Sequence, residues 1–315
     1  MTEEHKGLII KSTGKEYWVE TNDNKIIKCV LRGNFRTKNI KSTNPIAVGD
    51  IVAFSMGKDN MGSITNILPR KNYICRKSIN LSKTTHIIAA NIDIAFLVVS
   101  LTEPRTPLGF IDRFLVAAEA FRIPICILFN KNDLYSHQET QMEENLKSIY
   151  QPLNYQCLSI SALKNQNIDQ LIALMKHKTC LFCGQSGVGK SSIINCLAPN
   201  LQLKTGAISN YNQKGRHTTT FAQMFHLPFG GYIVDTPGIK EFGLIEYKKE
   251  EIGHYFPEIL ALMQNCKFNN CTHTHEPHCA VKQAVENQEI TKSRYNNYLS
   301  IINNEDINIS DWQLK

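Results

Sequence analysis

The chain has 315 residues, of which 42% are apolar, enough for two or three domains with cores of their own, and this excludes an intrinsically disordered polymer. Its 35 basic and 28 acidic side chains leave a formal charge of +7, too mild to establish nucleic-acid binding by itself but favouring an anionic partner where the excess clusters. The start, MTEEHKGLII, is too polar for a secretory signal and the longest apolar run, IAFLVVSL, is too short to span a bilayer, so a cytoplasmic protein is expected.

In chain order, residues 7–68 read as short strands separated by turns: GLIIKS, KEYWVE, KIIKCVLR, then DIVAFS and GSITNIL after a basic loop. Five strands at this spacing predict a small barrel of the OB type, a fold that presents one face and its loops to RNA or oligonucleotides. No acid occurs between Asp23 and Asp50, whereas Lys25, Lys28, Arg32, Arg36, Lys38 and Lys41 all do. Arg32, Arg36, Lys38 and Lys41 are the expected phosphate contacts, with affinity falling steeply in salt. The plainer reading is a barrel whose lysines are merely solvated.

From about residue 90 strands alternate with helices, which predicts parallel βα units. The strands are IDIAFLVVS, PICILFN, YQCLSI, TCLFC, TTFAQMFHL and YIVDT; the helices are LGFIDRFLVAAEAFR, a stretch around 138–150, NIDQLIALMKH and KSSIINCLA. PFGG joins TTFAQMFHL to YIVDT as a tight hairpin, so one edge strand should be antiparallel. Further helix-like stretches follow around 248–264 and 280–303, and the tail INISDWQLK has no clear period.

FNKND, residues 129–133, ends the strand PICILFN at the carboxyl edge of the sheet, where open α/β sheets bind ligands. Asp133 presents two acceptors that match the N1–H and N2–H₂ donors of guanine, a pair adenine lacks. Asn130 ties the loop to its neighbours, and the Lys131 stem can lie flat against a base. On the next strand end, SISAL places Ser161 and Ala162 where a backbone N–H could meet the guanine O6. Each signal is weak alone, and their placement on successive strand ends carries the reading.

GQSGVGKSS, residues 184–192, runs from the strand TCLFC into the helix KSSIINCLA, the two flanks a phosphate loop requires. Gly184, Gln185, Ser186, Gly187, Val188 and Gly189 curl backbone N–H groups around an anion. Lys190 reaches the β and γ phosphates, the Ser191 hydroxyl ligates Mg²⁺, and Ser192 follows in the helix. In DTPG, Asp235 supplies a carboxylate for Mg²⁺ or its water, and Gly238 offers a backbone N–H to the γ phosphate without a side chain in the way.

The position after DTPG where well-known small GTPases carry a water-orienting Gln is Ile239, so unassisted hydrolysis should be slow. Thr219 is the expected switch hydroxyl on Mg²⁺, with Thr218 and Thr220 as alternatives.

Cys266, Cys271, His273 and Cys279 form C-x4-C-x-H-x5-C in a polar segment. Three thiolates and an imidazole make a closed, structural Zn²⁺ site, with His275 and His278 competing for the imidazole position. Ten cysteines in a cytoplasmic chain otherwise point to buried thiols, not disulfides. Cys180 and Cys183 also form a C-x2-C, which burial in a strand explains.

The guanine motifs precede the phosphate loop, an order that makes the nucleotide segment circularly permuted; pairing and packing do not depend on where the chain is cut. This order, with GQSGVGKSS, GRHTTT, DTPG and the Cys/His cluster, resembles the RsgA family of circularly permuted GTPases that act in maturation of the small ribosomal subunit. The likeness covers nearly the whole chain. It implies an OB-type RNA-binding barrel over 1–70, an α/β permuted GTPase domain over 71–246 and a mainly helical zinc-binding domain over 247–315. It also implies His273 as the fourth zinc ligand and His217 as the residue that orients or deprotonates the attacking water. A loop histidine contacting the partner is the alternative for His217.

The expected function is a Mg²⁺-dependent GTP hydrolase that binds the small (30S) ribosomal subunit and its rRNA as a monomer, assists its late maturation and leaves upon hydrolysis. The alternative is an RNA-binding adaptor in which GTP and GDP are conformational ligands and turnover is incidental. Because DTPG leads through IKEFGLIEY into the zinc segment, ordering of residues 211–220 and Gly238 by GTP should also swing that segment.

Overall fold

The structure, a computed structural model, describes residues 4–31, 45–57, 59–77, 85–201, 222–235 and 248–303. It divides into two compact units, the first drawn from Met1–Phe96, Ile168–Cys183 and Lys190–Glu241 and the second from Leu97–Asn167, Gly184–Gly189 and Phe242–Lys315.

In the first unit, β1 (Glu4–Ser12), β2 (Glu16–Thr21), β3 (Ile26–Leu31), β4 (Ile51–Met56) and β5 (Gly62–Ile67) make the expected barrel. β1 pairs with β2, β2 with β3, β3 in parallel with β5, β5 with β4, and β4 closes back on β1. Alternation puts Ile9, Tyr17, Val19, Cys29, Val52, Phe54 and Ile64 inside, all fully buried. Gly62 is required where β5 pairs with β3 beside Cys29, since a Cβ there would come within 2.3 Å of Cys29 Sγ. Asp50, also fully buried, accepts from the Ala47 N–H at 2.8 Å and is gripped by Arg70 through Nε and Nη2, each at 2.6 Å. A hairpin of β6 (Tyr73–Lys77) and β7 (Thr85–Ala90) follows.

The same unit holds β11 (Thr179–Cys183), β12 (Gln223–His226) and β13 (Tyr232–Asp235). β11 and β13 run parallel, so their carboxyl ends lie at one sheet edge, whereas β12 is antiparallel to β13. The turn between β12 and β13 uses Gly230 and Gly231, both at positive φ.

β12 is antiparallel as expected but is not an edge: it pairs with β1 at Lys11↔Gln223, giving the order β11–β13–β12–β1–β2–β3–β5–β4. A buried carboxylate fastens this joint. Glu20 of β2 accepts from the Tyr232 hydroxyl at 2.6 Å and meets His226 Nε2 at 2.7 Å. Helices α3 (Ile168–Met175) and α4 (Lys190–Leu197) also belong here. β8 (Ile94–Val99), buried along its length, runs out of this unit into the second.

The second unit contains β9 (Ile125–Phe129) parallel to β10 (Gln156–Ser159), with α1 (Leu108–Ala120) and α2 (His137–Tyr150). β9 is an unbroken buried apolar run, as parallel strands covered on both faces require. Ser136 and Glu139 form a capping box that starts α2 soon after the FNKND turn: Ser136 Oγ accepts from the Gln138 N–H, and the Glu139 carboxylate accepts from the Ser136 N–H.

The carboxyl-terminal segment of this unit folds as α5 (Lys249–Ile252), α6 (Pro257–Met263), α7 (Ala280–Glu286) and α8 (Lys292–Ile302). The two helix-like stretches expected there are each broken. Pro257 can only begin a helix and Gln288 adopts positive φ, so each stretch splits in two. Phe256, Ile259, Val281, Tyr298 and Ile302 share one core with Val116 of α1.

At the centre of that packing lies a buried charge network. Arg294 Nη1 donates to Asp112 Oδ1 at 2.6 Å, while its Nε and Nη2 donate to the two oxygens of Glu258 at 2.7 and 3.0 Å. Asp112 also accepts from the Tyr150 hydroxyl at 2.8 Å and from Asn297 Nδ2 at 2.5 Å. The guanidinium lies 4.6 Å from the Phe256 ring centroid. Its proton is held more tightly than usual: burial works against the charge, and the Asp112 and Glu258 carboxylates outweigh it.

Candidate nucleotide site and metal centre

The phosphate loop leaves β11 at Gly184 and enters α4 at Lys190. Two of its glycines are dictated by space. At Gly184, φ +139°, a Cβ would lie 2.4 Å from the Val98 carbonyl oxygen; at Gly189, φ +100°, it would lie 2.2 Å from Asn130 Nδ2. Pro104 sits against Gly187, so the β8–α1 connection flanks the loop. Gln185 and Ser186 lie in the loop, Val188 is buried within it, and Ser191 and Ser192 fall in the first turn of α4 with Ser191 nearly buried.

Asn130 joins three segments. Its N–H donates to Val99 O at 2.9 Å, its Nδ2 to the Val188 carbonyl of the phosphate loop at 2.9 Å, and its Oδ1 accepts from the Ala162 N–H at 3.2 Å. The side chain is 2% exposed, so the FNKND turn, the phosphate loop and the SISAL strand end are held in one register. Asp133 Oδ1 accepts from Ser161 Oγ at 2.5 Å, which turns the carboxylate. The Tyr135 hydroxyl donates to Asn130 O at 3.1 Å; burial pushes this phenol well above its ordinary value and keeps it a donor.

Lys131 takes a left-handed φ of 68° and its ammonium donates to the Glu103 carbonyl at 2.6 Å. The Ser161 N–H donates to Gln166 O at 3.2 Å. Both candidates for the N–H that could meet a guanine O6, those of Ser161 and Ala162, therefore have protein acceptors here.

Ser161 as the group that orients Asp133 was not legible in the sequence, nor was the Glu103–Pro104 wall, because neither belongs to a spaced motif. Asp235 ends β13 one step past the Val234↔Leu181 pair, at the carboxyl edge that β13 shares with β11. A serine hydroxyl and a carboxylate are hard oxygen donors of the kind Mg²⁺ takes, so Ser191 and Asp235 fit that ion. His217, Thr219 and Gly238, and the basic residues Arg32, Arg36, Lys38 and Lys41, lie outside the described residues.

The structure gathers Cys266, Cys271, His273 and Cys279 with their donor atoms all within 4.8 Å of one another. His273 Nδ1 is 3.5 Å from Cys266 Sγ and 3.4 Å from Cys279 Sγ, and those two sulfurs are 3.9 Å apart. A tetrahedron with Zn–S of about 2.3 Å and Zn–N of about 2.0 Å has S···S edges of roughly 3.8 Å and S···N edges of roughly 3.5 Å. The donor set fits zinc.

His273 is 1% exposed whereas His275 and His278 are on the surface, so of the three competing imidazoles only His273 faces the sulfurs. Burial lowers the His273 pKa, which favours the neutral imidazole over the cation. It also raises Cys271 to about 12, so without a cation that thiol keeps its proton.

The loop that carries the Cys/His cluster is framed from behind. The Tyr295 and Tyr298 hydroxyls of α8 donate to the His273 and Thr272 carbonyls at 2.6 and 2.7 Å, and the Glu276 carboxylate accepts from the Thr272 and Thr274 N–H groups. The other C-x2-C is different: Cys180 and Cys183 are buried in β11, where burial, with a smaller push from Asp93, raises Cys180 to about 12. Among the described residues no helix is long and apolar enough to cross a membrane.

Comparison with known proteins matches residues 67–245 to the RsgA GTPase family model and residues 6–64 to the RsgA N-terminal domain model. A Bacteroides fragilis protein named small ribosomal subunit biogenesis GTPase RsgA is 50% identical over 301 residues, covering 96% of this chain and 97% of the relative. A Flavobacterium psychrophilum protein of the same name is 48% identical over 305 residues, covering 95% and 93%. Among solved structures, YjeQ from Thermotoga maritima superposes with a TM-score of 0.79 at 35% identity, covering 96% of this chain and 98% of that one. YloQ, described as a circularly permuted GTPase, gives 0.75 at 32% identity, covering 96% and 95%.

Proposed function

The chain belongs to the RsgA GTPase family, and from that premise we propose that it hydrolyses GTP in step with its binding to the small ribosomal subunit during that subunit's late maturation. The observation that carries the nucleotide half of this reading is Asn130: one buried amide binds the base-reading turn to the phosphate loop. That link supports reading Asp133 and residues 184–189 as the base and phosphate ends of one ligand's site.

In this reading Asp133 selects guanine by accepting from N1–H and N2–H₂, with Ser161 fixing its angle, while Lys131 covers the ring and Ala162 lies beside it. Gly184 to Gly189 wrap the phosphates with backbone N–H groups, and Lys190 and Gly238 meet the charge that grows on the γ phosphate. Ser191, Thr219 and Asp235 would hold Mg²⁺, which would supply positive charge to the phosphates as negative charge develops on them. His217 orients or deprotonates the attacking water.

The Cys266, Cys271, His273, Cys279 centre holds one structural Zn²⁺, closed to water by four protein ligands. Arg32, Arg36, Lys38 and Lys41 contact rRNA phosphates. The protein acts in the cytoplasm as a monomer. Purified small subunits should accelerate GTP turnover and large subunits should not; equal turnover with and without small subunits would defeat the reading.

A further inference from the structure

One face of the barrel carries side chains that the nucleotide chemistry leaves unused. Lys11 of β1, Trp18 of β2 and Lys28 of β3 stand opposite one another in a single cross-strand row. Both ammonium groups lie against the indole, Lys11 Nζ at 5.0 Å and Lys28 Nζ at 6.0 Å from the ring centroid. Tyr17 and Val19 are fully buried, so strand alternation turns the partly exposed Trp18 ring to the solvent side. Lys28 also pairs with Glu16 at 2.6 Å, and with both side chains about 40% exposed the pair is open to exchange for another anion.

We infer that Lys11, Trp18 and Lys28 form a stacking platform for one unpaired base of a single-stranded RNA segment, with the two lysines taking the flanking phosphates. This rests on the small-subunit reading above and deepens it, by naming an unpaired nucleotide instead of a duplex. Bases in a duplex are already stacked and offer no ring face to a side chain; a partly exposed indole between two cations suits a splayed base and its backbone. An acidic peptide would satisfy the lysines and leave the ring unused. The row also leads out of the barrel, since Lys11 is opposite Gln223 and Gln223 is opposite Asp235. The platform thus shares a ladder with the acid at the nucleotide edge.

The chain has two tryptophans, so Trp312→Phe leaves Trp18 as the sole indole emitter. Titrating that full-length variant with a ten-residue oligoadenylate should quench its fluorescence. Trp18→Ala should weaken oligoadenylate binding by about tenfold or more, Trp18→Tyr should retain most of it, and Lys11→Ala should reduce the salt slope by about one. Emission that does not respond, unchanged affinity in Trp18→Ala, or equal quenching by polyglutamate would overturn the platform. If small subunits stimulate the wild type but bind Trp18→Ala unchanged, the platform fails alone. If subunits stimulate nothing while oligoadenylate still quenches Trp18, the subunit reading fails and the platform stands.

Discussion

Arg294 and Asp112 meet at 2.6 Å although 182 residues separate them in the chain, and both side chains are almost fully buried. A guanidinium placed here can be neutral in net effect on stability, but removing it strands two carboxylates, Asp112 and Glu258. Arg294→Met should therefore cost about 3–5 kcal/mol in urea unfolding, more than a surface arginine could. A loss below about 1 kcal/mol would mean that water reaches the site.

Asp133→Asn exchanges one acceptor for a donor. Guanine preference should fall by about a hundredfold, the scale of lost charged hydrogen bonds, while xanthine nucleotides gain because their C2 carbonyl accepts where guanine donates. Competition of GTP, XTP and ATP against labelled GDP reads this out, and an unaltered ranking would remove Asp133 from base recognition.

Cys279→Ser replaces a proposed zinc ligand that also lies in the helical core and caps α7. Metal analysis should show zinc falling well below about one ion per chain, with the melting transition of the helical segment lowered or broadened. Full zinc occupancy in this variant would show that the ion is held elsewhere.

Burial pushes Glu276 upward, but hydrogen bonds from Thr272, Thr274 and its own backbone dominate and leave it at about 2 against an ordinary 4.5. Its folded value is depressed, so its contribution is complete above about pH 4.5 and drains away as pH falls towards 2. Glu276→Gln should accordingly be less stable than wild type at pH 7, and the gap should narrow below about pH 4.5 in unfolding curves taken with zinc present. A gap independent of pH would assign the effect to packing.

Glu20→Gln keeps an acceptor for Tyr232 but gives up the carboxylate that meets His226. A stability loss of about 0.5–1.5 kcal/mol should come with faster amide exchange in β12 and β13 than in β3. Uniform acceleration across the barrel would contradict a joint localised at Glu20.

The sequence was most legible where chemistry fixes residue types at fixed spacing. The glycines before Lys190 and the Cys/His run over 266–279 each sit at short fixed spacing, so both motifs stood out in the sequence, and the structure brings the four Cys/His donors together. The barrel strands were readable from alternation. The β1–β12 pairing was not, because one cross-strand contact 212 residues apart leaves no periodic trace. Nor was the Arg294 network, whose members are ordinary surface residue types until the fold buries them. The β6–β7 hairpin was absent from the expectations altogether. Residues 248–264 look continuous in apolar pattern, and only the backbone limits imposed by Pro257 divide them.

That β12 is covered by β1 has a bearing on how deletions should be read. A chain shortened to begin after residue 70 would take away the Lys11 partner of Gln223 and open that side of β12 to intermolecular strand addition. Loss of activity in such a truncation would then report self-association as readily as a missing RNA contact, and point substitutions such as Trp18→Ala are the cleaner instrument.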